Sequence, residues 1–149
     1  MKGAMKPKLT REAVKLARSS TLRSLEKIMK MLLAPGGCPW DRRQTHTTLL
    51  KYLREEAGEV SRAVRKKDWA NLKEELGDVL LQVVFHSALA RRDGRFSLGD
   101  VIQTVNAKMV RRHPHVFAGG KKLSTPAQVL RQWRIIKKAE KAPARGKRS

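Results

Sequence analysis

The chain has 149 residues, with 34 Lys and Arg against 13 Asp and Glu, a formal net charge of +21. That length fits one domain with a real core, and a single cysteine, Cys38, excludes an internal disulfide framework and points to a reducing, cytoplasmic setting. No apolar run approaches the roughly 18 residues of a membrane span, and the basic start from Met1 to Lys8 is not followed by an apolar signal core, so the chain reads as neither membrane-bound nor secreted.

Taken in chain order, the periodicity is helical nearly throughout. Residues 1–20 form a basic arm that runs into the first helix. Leu9, Ala13, Leu16 and Ala17 start an apolar pattern, and Leu22, Leu25, Ile28, Met29 and Leu32 continue it. Ala34-Pro35-Gly36-Gly37 stops it. Cys38 to Thr48 reads as an irregular polar segment. A second helix is predicted over Thr48–Arg65, then a short Lys66-Lys67-Asp68 turn in which Asp68 N-caps a third helix over Trp69–Arg92. Asp93-Gly94-Arg95 is a turn, and Ser97 caps a fourth helix reaching Arg112. His113 to Ser124 is a loop. Thr125-Pro126 opens a last helix with Pro at its first position, reaching Lys141. Residues 142–149 read as a basic disordered tail. The expected fold is all-α, a helical bundle of about five helices over residues 21–141, with basic flexible tails.

A charge of +21 points first to nucleic acid, because Lys and Arg neutralise phosphates and release counterions. The positive charge, however, is concentrated toward the ends: residues 1–30 hold nine basic side chains and two acidic ones, and residues 137–149 hold six and one. The acids do the reverse, since seven of the thirteen lie between Glu55 and Asp78. Within that window Glu55-Glu56-Ala57-Gly58-Glu59-Val60 is echoed by Glu74-Glu75-Leu76-Gly77-Asp78-Val79.

At about 100° per residue, Glu56 and Glu59 border a stripe of Leu53, Ala57, Val60 and Val64, while Glu75 and Asp78 border a stripe of Leu72, Leu76, Val79 and Val83. An antiparallel hairpin closing at the Lys67-Asp68 turn sets the two carboxylate pairs at one height. Four carboxylates meeting at the edge of a core repel one another and require a counter-charge. Mg²⁺ is the economical choice, with Mn²⁺ as an alternative: it prefers carboxylate oxygens and bridges readily to phosphate. The plainer reading is that these acids are helix-face charges pairing with Arg62, Lys66 and similar neighbours. Gly58 and Gly77 point to close approach of another helix.

These residues resemble a known family. E-E-x-x-E at Glu55, Glu56 and Glu59, followed by E-x-x-D at Glu75 and Asp78, is similar to the motif of the MazG-like nucleotide pyrophosphohydrolases of the all-α NTP pyrophosphatase superfamily. Gly36-Gly37-Cys38-Pro39-Trp40-Asp41 with Gln44-Thr45 resembles the segment before that motif. Gly94-Arg95-Phe96, Arg111-Arg112-His113-Pro114-His115-Val116-Phe117 and the stretch Val129 to Lys138 resemble the segments after it. The resemblance implies Mg²⁺-dependent hydrolysis of a nucleoside triphosphate to a monophosphate and pyrophosphate, with nucleotide-pool housecleaning as a common role. It also implies a helical domain that forms a homodimer or higher homo-oligomer. Carried over, Glu56, Glu59, Glu75 and Asp78 would bind the metal, Glu55 would hold or activate water, and Glu55 and Glu56 would be catalytic.

Further candidates carry two readings each. Lys108, Arg111 and Arg112 can neutralise a triphosphate, or they can be favourable charges at a helix C-terminus. Trp40 can stack on a base or anchor its loop, and Gln44 can read a base edge or make a loop hydrogen bond. His113 and His115 have H-x-H spacing, but no partners at zinc-ligand spacing accompany them, so loop packing is expected. His86 is expected to be a satisfied core histidine, and Trp69 to pack under the turn. A second class of function is a nucleic-acid-binding or regulatory protein, built on an inactive scaffold of this kind and using the basic tails.

Overall fold

The computed structural model describes residues 8–119 and 121–141. Residues 1–7 of the expected arm and the expected tail over 142–149 lie outside the described residues. Eight helices are present among the described residues, rather than about five, and no strand. The excess comes from the first predicted helix dividing into α1 (Arg11–Ala17) and α2 (Leu22–Leu33), and from two short helices that periodicity does not register, α3 (Pro39–Arg42) and α7 (Pro114–Phe117). The last two each start on a proline, whose fixed φ suits the first helical turn. The chain divides into two compact units, one ending at Leu98 and the other starting at Gly99. No described helix is long and apolar enough to cross a membrane.

The first unit is built on two long helices, α4 (His46–Lys66) and α5 (Trp69–Arg92), with α2 (Leu22–Leu33) packed on α5. Helix α4 starts two residues earlier than periodicity predicts. Thr45 caps it, accepting from the Thr48 amide, while the Thr48 hydroxyl accepts from the Thr45 amide at 2.9 Å. At the other end Lys67 takes a left-handed conformation, φ 55°, and the Asp68 amide donates to Ala63 carbonyl at 3.0 Å. Asp68 then caps α5 by accepting from the Asn71 amide at 3.1 Å, as expected from its position. Two residues therefore reverse the chain, and α4 and α5 run back along each other.

Helix α2 ends where Gly36 turns with φ 79° and the Cys38 amide donates to Leu32 carbonyl at 2.8 Å. Gly37 is required there, because a Cβ would collide with the carbonyl oxygens of Leu32 and Met31.

Apart from Ala63 near the Lys67 turn, the core gathers at the open end of the hairpin. Met29 from α2, Leu49 and Ala63 from α4, and Val84, Phe85, Leu89 and Ala90 from α5 are buried, with Leu98 beyond the Asp93-Gly94 turn. Leu49 and Leu89 are at most 1% exposed, a burial worth about 1.5–3 kcal/mol each. The two halves of α5 differ. The C-terminal half is enclosed between α4 and α2, whereas the stretch Trp69–Leu81 contains no buried residue.

The apolar stripes flanking the acids are correspondingly covered only in part among the described residues. Val64 and Leu76 are each 52% exposed. Trp69, expected under the turn, is 69% exposed. The helix approach expected at the two glycines is likewise absent among the described residues: a Cβ on Gly77 would meet nothing within 4 Å, and one on Gly58 would meet only the Arg62 guanidinium.

The second unit contains the rest of α6 (Leu98–Arg112), then α7 and α8 (Pro126–Lys141). Glu140 of α8 ties down the end of α6. Arg111 Nε donates to Glu140 Oε1 at 2.8 Å and an Arg112 terminal nitrogen donates to Oε2 at 2.7 Å.

Candidate metal centre and its surroundings

The hairpin register brings three carboxylates together. Glu56 from α4 and Glu75 and Asp78 from α5 each offer an oxygen, and these oxygens all lie within 4.8 Å of one another. All three side chains are half-buried. The spacing follows from the helix: Glu75 and Asp78 are three apart and so share a face, while the turn at Lys67 sets Glu56 across from them. Glu56 is protonated more readily than an ordinary carboxyl. Burial is the main cause, followed by the charges of Asp78 and Glu75, a hydrogen bond shared with Glu75, and the charge of Glu55. The apoprotein therefore carries unresolved like-charge repulsion, relieved either by a proton or by a cation. An all-oxygen donor set of this charge fits a hard divalent ion.

Glu59, expected as a fourth member, does not join the other three. It faces Arg62 on its own helix, whose Nε donates to Glu59 Oε2 at 2.8 Å and whose terminal nitrogen contacts Oε1. The plainer reading of the acidic window, an intrahelical ion pair, therefore describes this residue. Glu55 is exposed on α4, close enough for its charge to act on Glu56.

Beside the N-terminus of α4, Trp40 is 50% exposed and meets the Tyr52 ring edge-on at 5.6 Å, so much of its indole remains open. Gln44 is buried with both amide ends engaged: Nε2 donates to Trp40 carbonyl at 3.0 Å, and Oε1 accepts from Thr48 Oγ1 at 2.8 Å. Gln44 thus joins the Trp40 loop to the cap of α4, which is the loop role foreseen for it. Lys108, Arg111 and Arg112 belong to the second unit. There Glu140 occupies both arginines, and its carboxyl is pulled down to about 2, chiefly by its hydrogen bonds to Arg112 and Arg111. His113 bonds Met109 carbonyl at 2.6 Å and meets the Trp133 ring edge-on, and His115 bonds Gln132 at 3.2 Å. The H-x-H pair thus serves loop packing.

Sequence reasoning missed a histidine pair. His46 at the start of α4 stacks on His86 of α5, with centroids 5.1 Å apart and Nδ1 atoms at 2.8 Å. Burial, then the His46 charge, makes His86 harder to protonate. His86 Nε2 and Gln82 Oε1 are buried with no hydrogen-bond partner among the described residues, so His86 is only half satisfied. The signal was available. The midpoint of 46 and 86 falls at the same turn as the midpoint of the two acidic pairs, so one register aligns both.

Residues 44–117 match the family model described as the MazG nucleotide pyrophosphohydrolase domain. The chain is 48% identical over 124 residues to the nucleoside triphosphate pyrophosphohydrolase/pyrophosphatase MazG of Thermotoga maritima, which covers 83% of this chain and 47% of that protein. It is 43% identical over 116 residues to the nucleoside triphosphate pyrophosphohydrolase of Escherichia coli, 77% of this chain and 44% of that one. The chain thus spans less than half the length of either relative. The crystal structure of a mazG-related protein from Thermotoga maritima superposes with a TM-score of 0.66 at 34% identity, covering 78% of this chain and 99% of that one. The three-carboxylate hairpin and these likenesses agree, and the chain belongs to the MazG nucleotide pyrophosphohydrolase family.

Proposed function

We propose that the chain is a Mg²⁺-dependent nucleoside triphosphate pyrophosphohydrolase that also accepts Mn²⁺, cleaving between the α and β phosphates of NTPs or dNTPs in cytoplasmic nucleotide housecleaning. The observation that carries this reading is the convergence of Glu56, Glu75 and Asp78 within 4.8 Å. The names of the relatives support the same chemistry. When bound, a divalent ion supplies charge neutralisation for the phosphates and a template for in-line attack.

The chain's own residues do the rest. Glu56, Glu75 and Asp78 would hold the ion, and Glu59 would join them if released from Arg62. Glu55, beside them, orients the attacking water and takes its proton. The water oxygen bonds to the α phosphorus as the bond to the bridging oxygen breaks, releasing pyrophosphate. The open indole face of Trp40 is suited to stacking on a base.

The same reading includes a homodimer. The exposed stripe around Val64 and Leu76 flanks the acids, and the two glycines leave room for a neighbouring helix. A second copy covering it would close the site against water.

The test is release of pyrophosphate from a panel of NTPs and dNTPs, with and without Mg²⁺. Product above that of a Glu56→Gln/Glu75→Gln control is expected, with the double variant reduced by more than about 100-fold. Equal rates would sink the proposal. Light scattering should give a dimer that Leu76→Asp converts to a monomer. Nucleic-acid binding rests on tail charge, and it would appear as duplex affinity falling steeply with salt.

A further inference from the structure

A groove in the first unit takes no part in the chemistry above. It lies between α2 and the C-terminal half of α5, ends at Leu98, and has a volume of about 550 Å³. Small-molecule sites commonly fall between about 300 and 1,000 Å³. At about 100° per residue, Val84, Ser87, Ala88 and Arg91 stand roughly 120–220° around α5 from Glu75. The groove is therefore on the opposite side of the helix from the carboxylates.

Its two walls have complementary characters. The floor is aliphatic, formed by Leu33, Val84, Ala88 and Leu98. The rim is basic, with Arg23, Lys27 and Lys30 from α2 and Arg91 and Arg92 from α5, against the single acid Glu26. Arg23, Lys27 and Lys30 recur at helical spacing and so line one edge together. Lys27 is engaged by Glu12 at 2.5 Å and Arg92 by Asp93 at 3.3 Å. Arg23, Lys30 and Arg91 have no carboxylate partner among the described residues. Three cations without counter-charges around an apolar floor repel one another and favour an anion. None of the lining residues is aromatic, so a nucleobase would find no stacking platform.

We propose that this groove binds a small amphipathic anion with an aliphatic body, such as an alkyl phosphate or alkyl carboxylate. The body lies on Val84, Ala88 and Leu98, and the head is held by Arg23, Lys30 and Arg91. Because each buried methylene adds hydrophobic stabilisation, affinity should rise about fourfold per added carbon until the floor is covered.

Calorimetric titration of the full chain with hexyl, octyl and decyl phosphate, each below its micelle concentration, tests this. The expected result is affinity rising along the series, with inorganic phosphate far weaker. A Lys30→Ala/Arg91→Ala variant, altered only at exposed positions, should lose at least tenfold, and Ala88→Phe should block the longer ligands. The Glu56→Gln/Glu75→Gln variant should bind as the parent does. Absence of decyl phosphate binding, binding indifferent to Lys30 and Arg91, or loss of binding on changing Glu56 and Glu75 would each overturn the proposal. So would ADP binding more tightly than decyl phosphate at Lys30 and Arg91, since the body would then be a nucleoside.

Discussion

Glu56 and Glu140 are the same side chain in opposite company. Glu56 faces Asp78 and Glu75 across the hairpin, and burial and repulsion raise its affinity for a proton above that of an ordinary carboxyl. Glu140 faces Arg111 and Arg112, and its carboxyl falls to about 2. Both are held by long helices, so the difference lies in their neighbours. The first site is an unsatisfied demand for positive charge, and the second is a demand already met from within the chain. A binding site is a place where the chain declines to satisfy itself. On that ground the three acids are reactive groundwork, and the Glu140 clamp is architecture.

The sharpest way to break this contrast is to supply the missing charge. Mg²⁺ at about 100 times its dissociation constant should stabilise the protein by about 2.7 kcal/mol in thermal unfolding. The Glu56→Gln/Glu75→Gln variant should show no such shift. An equal shift in both would place the ion elsewhere. A smaller effect is expected from Arg62, which competes for Glu59. Arg62→Ala should tighten metal binding by up to about fivefold, the value of an exposed ion pair. Unchanged affinity by calorimetry would mean that Glu59 stays out of the metal set.

The smallest effect separates the two carboxylates by sign. Glu56 has a raised folded pKa, so its contribution is most favourable below 4.5 and is lost as pH rises through the folded value. Without metal, Glu56→Gln should therefore be the more stable protein near neutrality. Glu140 has a depressed folded pKa, so its contribution is present above 4.5 and is lost as pH falls toward about 2. Glu140→Gln should lower the hydrogen-exchange protection of α6 and α8 at neutral pH, and the difference should fade on acidification. The same sign in both variants would remove the distinction.

The hairpin was legible because its signals are local. Asp68 capping α5, two apolar-and-acidic repeats and a short turn suffice to set Glu56 against Glu75 and Asp78. Helix boundaries beyond Trp69 and Pro126 were equally readable. Other features depend on facts that a pattern does not carry. Whether Glu59 turns to a cation or to Arg62 is decided by rotamers three residues apart. The stripe through Leu76 has the period of a buried face, and yet Leu76 and Val83 are exposed among the described residues; periodicity reports that a face is apolar, not what covers it. His46 and His86 escape because His46 falls in the stretch that reads as irregular and His86 in a helix, so only the hairpin register relates them. The short helices α3 and α7 span about one turn, below the window in which a period can be seen.

Lys67 bears on how such a chain can change over time. Surface turns usually absorb insertions with little harm. This turn is different, because its length is the gauge that aligns both Glu56 with Glu75 and His46 with His86. One added residue would offset α5 by about 1.5 Å and rotate it by about 100° relative to α4. That would turn Asp78 off the shared face while leaving each helix individually intact. The least buried corner of the hairpin is thus its least negotiable in length, although its residue types remain open to exchange. Lys67→Gly, which keeps the left-handed turn, should be accepted where a single-residue insertion is not.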